Sequence, residues 1–215
     1  MLKGIIFDFD GVIAESVQVK SDAFAELYKP YGSDIVKNIV EHHEANGGMS
    51  RFEKIKLYHV SILNKTITKE EISDLANQFS QLVVEKVIEA PYVPGALEYI
   101  QKCHEKYKLF ISTGTPTSEI RKILKARKIA DCFTNVYGSP EQKTTHVNNI
   151  ISKYNILPNE MIFYGDSSSD MHAALSHGIP FVLRLYSLNQ HYFGNYTGLT
   201  IRNFNDLLSN LLYGE

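Results

Sequence analysis

The 215-residue sequence predicts an α/β fold, with a mostly parallel sheet covered by helices on both faces and a helical insertion after the first strand. Three observations predict it. Short apolar runs recur along the chain, stretches with helical spacing separate them, and one long helical block interrupts the alternation near the start.

Gly4 to Phe9 is an apolar run ending in acid and glycine, which reads as a buried strand feeding a loop. Similar runs stand at Lys108–Ser112, Cys132–Tyr137, Met161–Tyr164 and Pro180–Leu185. Between them, Ala96–Glu105, Thr117–Lys128, Thr144–Tyr154 and Ser169–His177 carry helical spacing, and Asn203–Tyr213 reads as a closing helix. Strands alternating with helices of this length imply parallel pairing.

From Val17 to Glu89 the pattern is helical almost throughout, with apolar positions such as Phe24, Leu27, Ile55, Phe79 and Val83. Thr68-Lys69-Glu70-Glu71 has the form of a capping box at a helix start. This block is expected to be a helical cap at 16–89, inserted into a core made of 1–15 and 90–215. Its hinges fall near Ala14–Ser16 and Ala90–Gly95, the second carrying Pro91 and Pro94.

Bulk properties narrow the partners. A net charge of -2 supplies no global attraction to nucleic acid or anionic membrane, so any phosphate must be met by local positive charge. No window approaches the roughly 20 apolar residues of a membrane span, and Met1 to Gly11 lacks the apolar stretch of a signal peptide. The two cysteines, Cys103 and Cys132, form no metal-ligand pair or disulfide framework and suit a reducing cytoplasm. Nothing in the pattern specifies an oligomeric state.

The chemistry concentrates at strand ends. In Asp8-Phe9-Asp10-Gly11, an extended backbone puts both carboxylates on one side, at the edge where open α/β sheets bind ligands. Far along the chain, Gly165-Asp166-Ser167-Ser168-Ser169-Asp170 follows another apolar strand and spaces two carboxylates by four residues. Acids crowded this way are costly unless they bind a cation or catalyse, and together they form a plausible oxygen-rich Mg²⁺ site. Asp170 could instead cap the next helix. Ser112-Thr113-Gly114-Thr115-Pro116 offers hydroxyls and amides to phosphate oxygens, or an ordinary helix cap. Lys143 could neutralise charge beside the acids.

Taken together and in order, Asp8–Val12, Ser112–Pro116, Gly138–Lys143 and Gly165–Asp170 resemble the four motifs of the haloacid dehalogenase-like superfamily. The insert after the first motif resembles the helical cap of its phosphoglycolate phosphatase/β-phosphoglucomutase branch. The resemblance covers nearly the whole chain and implies a Rossmann-like core with Mg²⁺-dependent phosphate monoester hydrolysis through an aspartyl phosphate. It implies that Asp8 is the nucleophile and Asp10 the general acid/base, with Thr113 and Lys143 holding the transferred group. The implied Mg²⁺ ligands are Asp8, Asp10 through its main-chain carbonyl, Asp166 and Asp170.

The implied substrate is a small phosphorylated metabolite, such as a sugar phosphate or phosphoglycolate. Lys20, Ser50, Arg51 and Gly114 are its candidate contacts. Lys20 and Arg51 could equally be solvated helix residues, and His42 and His43 lack the partners of a metal site. Glu15 stands where this branch often has Asp, a change expected to affect loop geometry or cap hinging. The alternatives are a sugar phosphomutase using the same intermediate and a catalytically silent binding protein.

Overall fold

The computed structural model describes residues 1–208. Its sheet contains β1 (Gly4–Phe7), β2 (Lys108–Pro116), β3 (Asn135–Ser139), β4 (Met161–Gly165), β5 (Phe181–Arg184) and β6 (Leu199–Ile201). The strand order is β3-β2-β1-β4-β5-β6 and every neighbouring pair is parallel. The chain runs outward from β1 through β2 to β3, then returns to β4 on the other side of β1. That reversal leaves a crevice at the carboxyl ends of β1 and β4, the ordinary ligand position in such sheets.

Alternate residues of β1 feed two cores. Ile5 and Phe7 join one with α5 (Ala96–Cys103) and α6 (Thr117–Ala126), whereas Ile6 joins the other with α7 (Lys143–Tyr154) and α8 (Ser168–Leu175). The result is the expected three-layer, Rossmann-like core. Phe7 stacks on Tyr164 of the neighbouring strand at 5.4 Å and tilts against Phe204 at 6.2 Å.

Several element bounds differ from the sequence reading. The first strand stops at Phe7 because the chain turns at Asp8, and the second continues to Pro116 with a register shift after Ser112. The third starts at Asn135, since Ala130–Cys132 forms a 3-10 turn beneath it. The edge strand β6 was not anticipated: three residues, largely exposed, carry no legible alternation. Of the expected closing helix, residues 205–208 are helical and the rest lies outside the described residues.

Between β1 and α5 stand α1 (Val17–Tyr28), α2 (Ser33–Ala45), α3 (Arg51–Leu57) and α4 (Lys69–Glu89), the inserted helical cap. Its centre is aromatic: Phe24 lies 4.4 Å from Phe79 and 5.6 Å from Tyr58. Both α3 and α4 start with capping boxes, Ser50 with Glu53 and Thr68 with Glu71. The two connections to the cap run side by side. Glu15 N donates to Pro91 O and Val93 N to Ile13 O, both at 2.9 Å. Arg127 ties down the end of α4 by donating to the carbonyls of Val87, Ile88 and Ala90. Among the described residues, no helix is long and apolar enough to cross a membrane.

Candidate active site

The site begins where β1 ends. Asp8 sits at the carboxyl edge, its Oδ1 accepting from Phe9 N at 2.6 Å. The chain then turns through Phe9–Ala14, closed by Ile13 N donating to Phe9 O and Gly11 N to Ala14 O, both at 2.8 Å. Gly11 adopts φ +73°, and a Cβ there would fall on the Asp166 carboxylate. Glycine is therefore demanded twice, by the backbone conformation and by the close approach of the opposite strand end. Arg184 at the end of β5 holds this loop, donating to Gly11 O at 2.9 Å and to both oxygens of Glu15 at 2.9 and 2.5 Å. Glu15 thus helps to fix the connection into the cap.

The second strand end delivers Asp166 and Asp170. One oxygen from each of Asp8, Asp166 and Asp170 lies within 4.8 Å of the others, and all three residues are buried. Lys143 at the first position of α7 donates to Asp8 Oδ2 and to Asp170 Oδ1, both at 2.6 Å. Asp170 also performs the capping duty, accepting from Ser167 N at 3.2 Å and from Ser167 Oγ at 2.5 Å. Sequence reasoning had left those two roles as alternatives.

Electrostatics follow from crowding without solvent. Burial, then the Asp170 charge, push the Asp166 carboxyl up to about 7, against a hydrogen bond from Tyr186 and the Lys143 charge. Burial and the neighbouring acids hold Asp8 well above the ordinary carboxylate value, although Lys143 opposes them. Burial works against the Lys143 charge, but Asp170 and Asp8 hold its pKa above the usual lysine value. Three carboxylates facing one ammonium leave negative charge uncompensated. An all-oxygen donor set of this kind is capable of holding a hard divalent cation.

Asp10 faces elsewhere. Its carboxylate accepts from Ser16 Oγ at 2.6 Å, from Thr115 Oγ1 at 3.2 Å and from Lys20 Nζ. Lys20 reaches down from α1 and also donates to Thr115 Oγ1 at 2.8 Å. Burial alone would raise the Asp10 carboxyl, but the Lys20 charge and the three hydrogen-bond donors hold it below the usual carboxylate range. Its carboxylate is not one of the three clustered around the candidate cation position.

The cap covers this arrangement. Gly48 lies so close to the core that a Cβ would strike Ser169 Oγ, and its carbonyl stands 3.0 Å from where a Cβ on Gly114 would be. The cavity beneath it, partly open to solvent, measures about 30 Å³ and brings Asp8, Asp10, Lys20, Thr113, Gly114 and Arg51 to one space. Thr113 is buried and its hydroxyl accepts from Thr115 N at 3.2 Å. Ser112 is turned away, hydrogen-bonded to His146 at 3.0 Å.

The remaining candidates are less directly engaged. Arg51 reaches the cavity, but its guanidinium is bound by Glu119 and Ser80. Ser50 caps α3, its hydroxyl accepting from Glu53 N at 3.3 Å, and it lines a separate cleft beside that cavity.

Sequence reasoning missed four contributors. Tyr186 donates to Asp166 Oδ2 at 2.5 Å, and Asn189 donates to Asp166 O at 2.9 Å; no local spacing announces either. Glu119, which neutralises Arg51, looks like any acid in the first turn of a helix. Lys54 lines the cavity from α3 and donates to His43. Its position three residues after Arg51, on the same helix face, was a usable signal.

Comparison with known proteins adds the following. Residues 5–184 match the family model described as haloacid dehalogenase-like hydrolase. The chain is 26% identical over 190 residues to a phosphorylated carbohydrates phosphatase of Thermotoga maritima, covering 83% of this chain and 82% of that protein. It is 26% identical over 186 residues to a phosphoglycolate phosphatase of Vibrio vulnificus, covering 82% of this chain and 81% of that one. In fold it is similar to a β-phosphoglucomutase of Clostridium difficile, with a TM-score of 0.76 and 21% identity over 96% of this chain and 93% of the other.

Proposed function

The chain belongs to the haloacid dehalogenase-like hydrolases, and we propose that it acts with Mg²⁺ on a small phosphorylated metabolite, a sugar phosphate or phosphoglycolate. It is a phosphatase that splits a phosphate ester by way of an aspartyl phosphate. The observation that carries the reading is the Lys143 ammonium bridging Asp8 and Asp170 at 2.6 Å, inside a cluster of three buried carboxylates. The names of the curated relatives support the substrate class.

In this reading Asp8 is the nucleophile. Lys143 neutralises its charge, so that the carboxylate can approach an anionic phosphoryl group without prohibitive repulsion. Thr113 and the Gly114 amide hold the transferred phosphoryl oxygens. Asp8, Asp166, Asp170 and the main-chain carbonyl of Asp10 would hold Mg²⁺, which supplies charge neutralisation at the phosphoryl oxygens. Asp10 protonates the leaving oxygen, then takes a proton from the water that attacks the aspartyl phosphate. The ionised Asp10 beside Lys20 is in the form that the second half-reaction needs. Lys20 on α1 and Arg51 on α3 approach the leaving group from the cap, and Ser50 caps the helix that carries Arg51.

We take 16–89 as the cap and 1–15 with 90–215 as the core. The free thiols Cys103 and Cys132 favour a cytoplasmic location. The deciding test is phosphate release across a panel of sugar phosphates and short phosphate esters, with and without Mg²⁺, in the parent and in Asp8→Asn. Release that needs Mg²⁺ and is lost in the variant supports the reading. Isomerisation of a sugar phosphate without phosphate release would replace it with a mutase.

A further inference from the structure

Lys54 is the most heavily desolvated cation that the mechanism above does not use. It is 1% exposed, and its ammonium donates to His43 Nδ1 at 2.7 Å and to His43 O at 3.2 Å. The Phe24 ring lies beneath it, 5.9 Å from Nζ. None of its hydrogen bonds or ion pairs described here goes to a carboxylate, in contrast to Lys20, Arg51 and Lys143, each of which is paired with one. A buried charge without a counter-ion is costly and is normally retained only where something arrives to pair with it. Its side chain lines the same cavity as Asp8 and Thr113, and it approaches from the cap, opposite the core-borne phosphoryl site.

We infer that Lys54, oriented by His43, is a specificity-determining residue that pairs with an oxyanion on the leaving group, a carboxylate or a second phosphate. The inference rests on the phosphatase reading and names the leaving-group chemistry within it. The surroundings support it. Burial, then the charges of Lys20 on α1 and Lys143 on α7, hold Lys54 well below the ordinary lysine value, against Asp10 and Asp166. From α2, His43 is held neutral by burial and by Lys54, His42 lies beside it, and Glu44 is turned to Ser21. From α4 the cavity receives Phe79, and Arg51 on α3 itself is neutralised by Glu119. An incoming oxyanion would supply the counter-charge that Lys54 lacks.

The test compares esters of matched size. In the parent, kcat/KM for 2-phosphoglycolate should exceed that for ethyl phosphate, and ethylene glycol bisphosphate should separate a preference for phosphate from one for carboxylate. Lys54→Met should lower the acid-to-neutral ratio by about 10- to 100-fold, the worth of one charged hydrogen bond, chiefly through KM. Lys54→Arg should retain most of the preference. Equal loss on acid and neutral esters, or no preference in the parent, overturns the assignment and leaves Lys54 a packing residue.

A second arm does not depend on turnover. Calorimetric titration into Asp8→Asn should show 2-phosphoglycolate binding about 10- to 100-fold tighter than ethyl phosphate, and adding Lys54→Met should remove that difference. Equal affinity for the two esters counts against the inference. If no ester releases phosphate, the hydrolase reading fails while this arm still judges Lys54.

Discussion

Arg51 and Glu119 face each other across the cap and the core, joined by two parallel hydrogen bonds of 2.9 and 2.5 Å. The side chains are 4% and 9% exposed, and Ser80 of α4 donates to the same carboxylate at 2.8 Å. Such a pair costs more to break than it contributes to stability, because a lone partner keeps its desolvation penalty. Glu119→Ala should therefore lower unfolding stability by about 3–5 kcal/mol. Combining Arg51→Met with Glu119→Leu should restore most of it. Urea denaturation of the three proteins checks this, and additive losses in the double variant would count against it.

Metal binding should depend on pH in a defined direction. Burial and neighbouring acids raise Asp166 from 3.8 to about 7 and raise Asp8 as well. Folded values above the unfolded ones mean that protonation favours the metal-free fold. That contribution is fully present below about pH 4 and is lost as pH rises through about 7. A divalent cation must displace these protons, so its affinity should climb to about pH 7 and then level. The Mg²⁺-induced rise in melting temperature should be near zero at pH 5 and largest at pH 8. A shift independent of pH would contradict it.

Tyr186→Phe removes the phenol that donates to Asp166 Oδ2 and opposes its raised pKa. Losing a partner of this kind on a carboxylate proposed to hold Mg²⁺ should weaken Mg²⁺ activation by about 10-fold or more. The deficit should be larger at pH 6.5 than at pH 8.5, where Asp166 is ionised in either protein. Mg²⁺ activation curves at the two pH values test this.

Gly48→Ala places a methyl group against Ser169, Ser167 and Lys143, so these side chains or the cap loop must shift. Misplacement near 1 Å costs up to about 100-fold in positioned catalysis. We expect kcat/KM to fall by about 10-fold or more, while the melting temperature changes little because no core contact is lost. Steady-state kinetics beside a thermal melt separate the two effects.

The acid-bearing strand ends were legible because they are local. Asp8 and Asp10 end one apolar run, although the chain turns after Phe7 and aims Asp10 away from the other acids, and Asp166 and Asp170 follow another buried strand. Short continuous apolar runs and the helical spacing between them do not depend on distant partners, so the parallel sheet and the helical insert were readable too. The capping box at Thr68 was of the same kind, since it joins residues three apart. β6 escaped because three edge residues bury too little to impose a pattern.

What the sequence by itself determined, then, was the α/β class, the position of the cap and the acids grouped at strand ends. Each of these is set by chain geometry over a few residues. Only the tertiary structure decided that Arg51 belongs to Glu119, 68 residues away, that Tyr186 serves Asp166, and that Lys54 faces the cavity with His43 as its hydrogen-bond partner. Those contacts depend on which helix faces pack together and on which charges burial leaves without water. Neither is encoded by spacing along the chain, because desolvation is a property of the assembled interior.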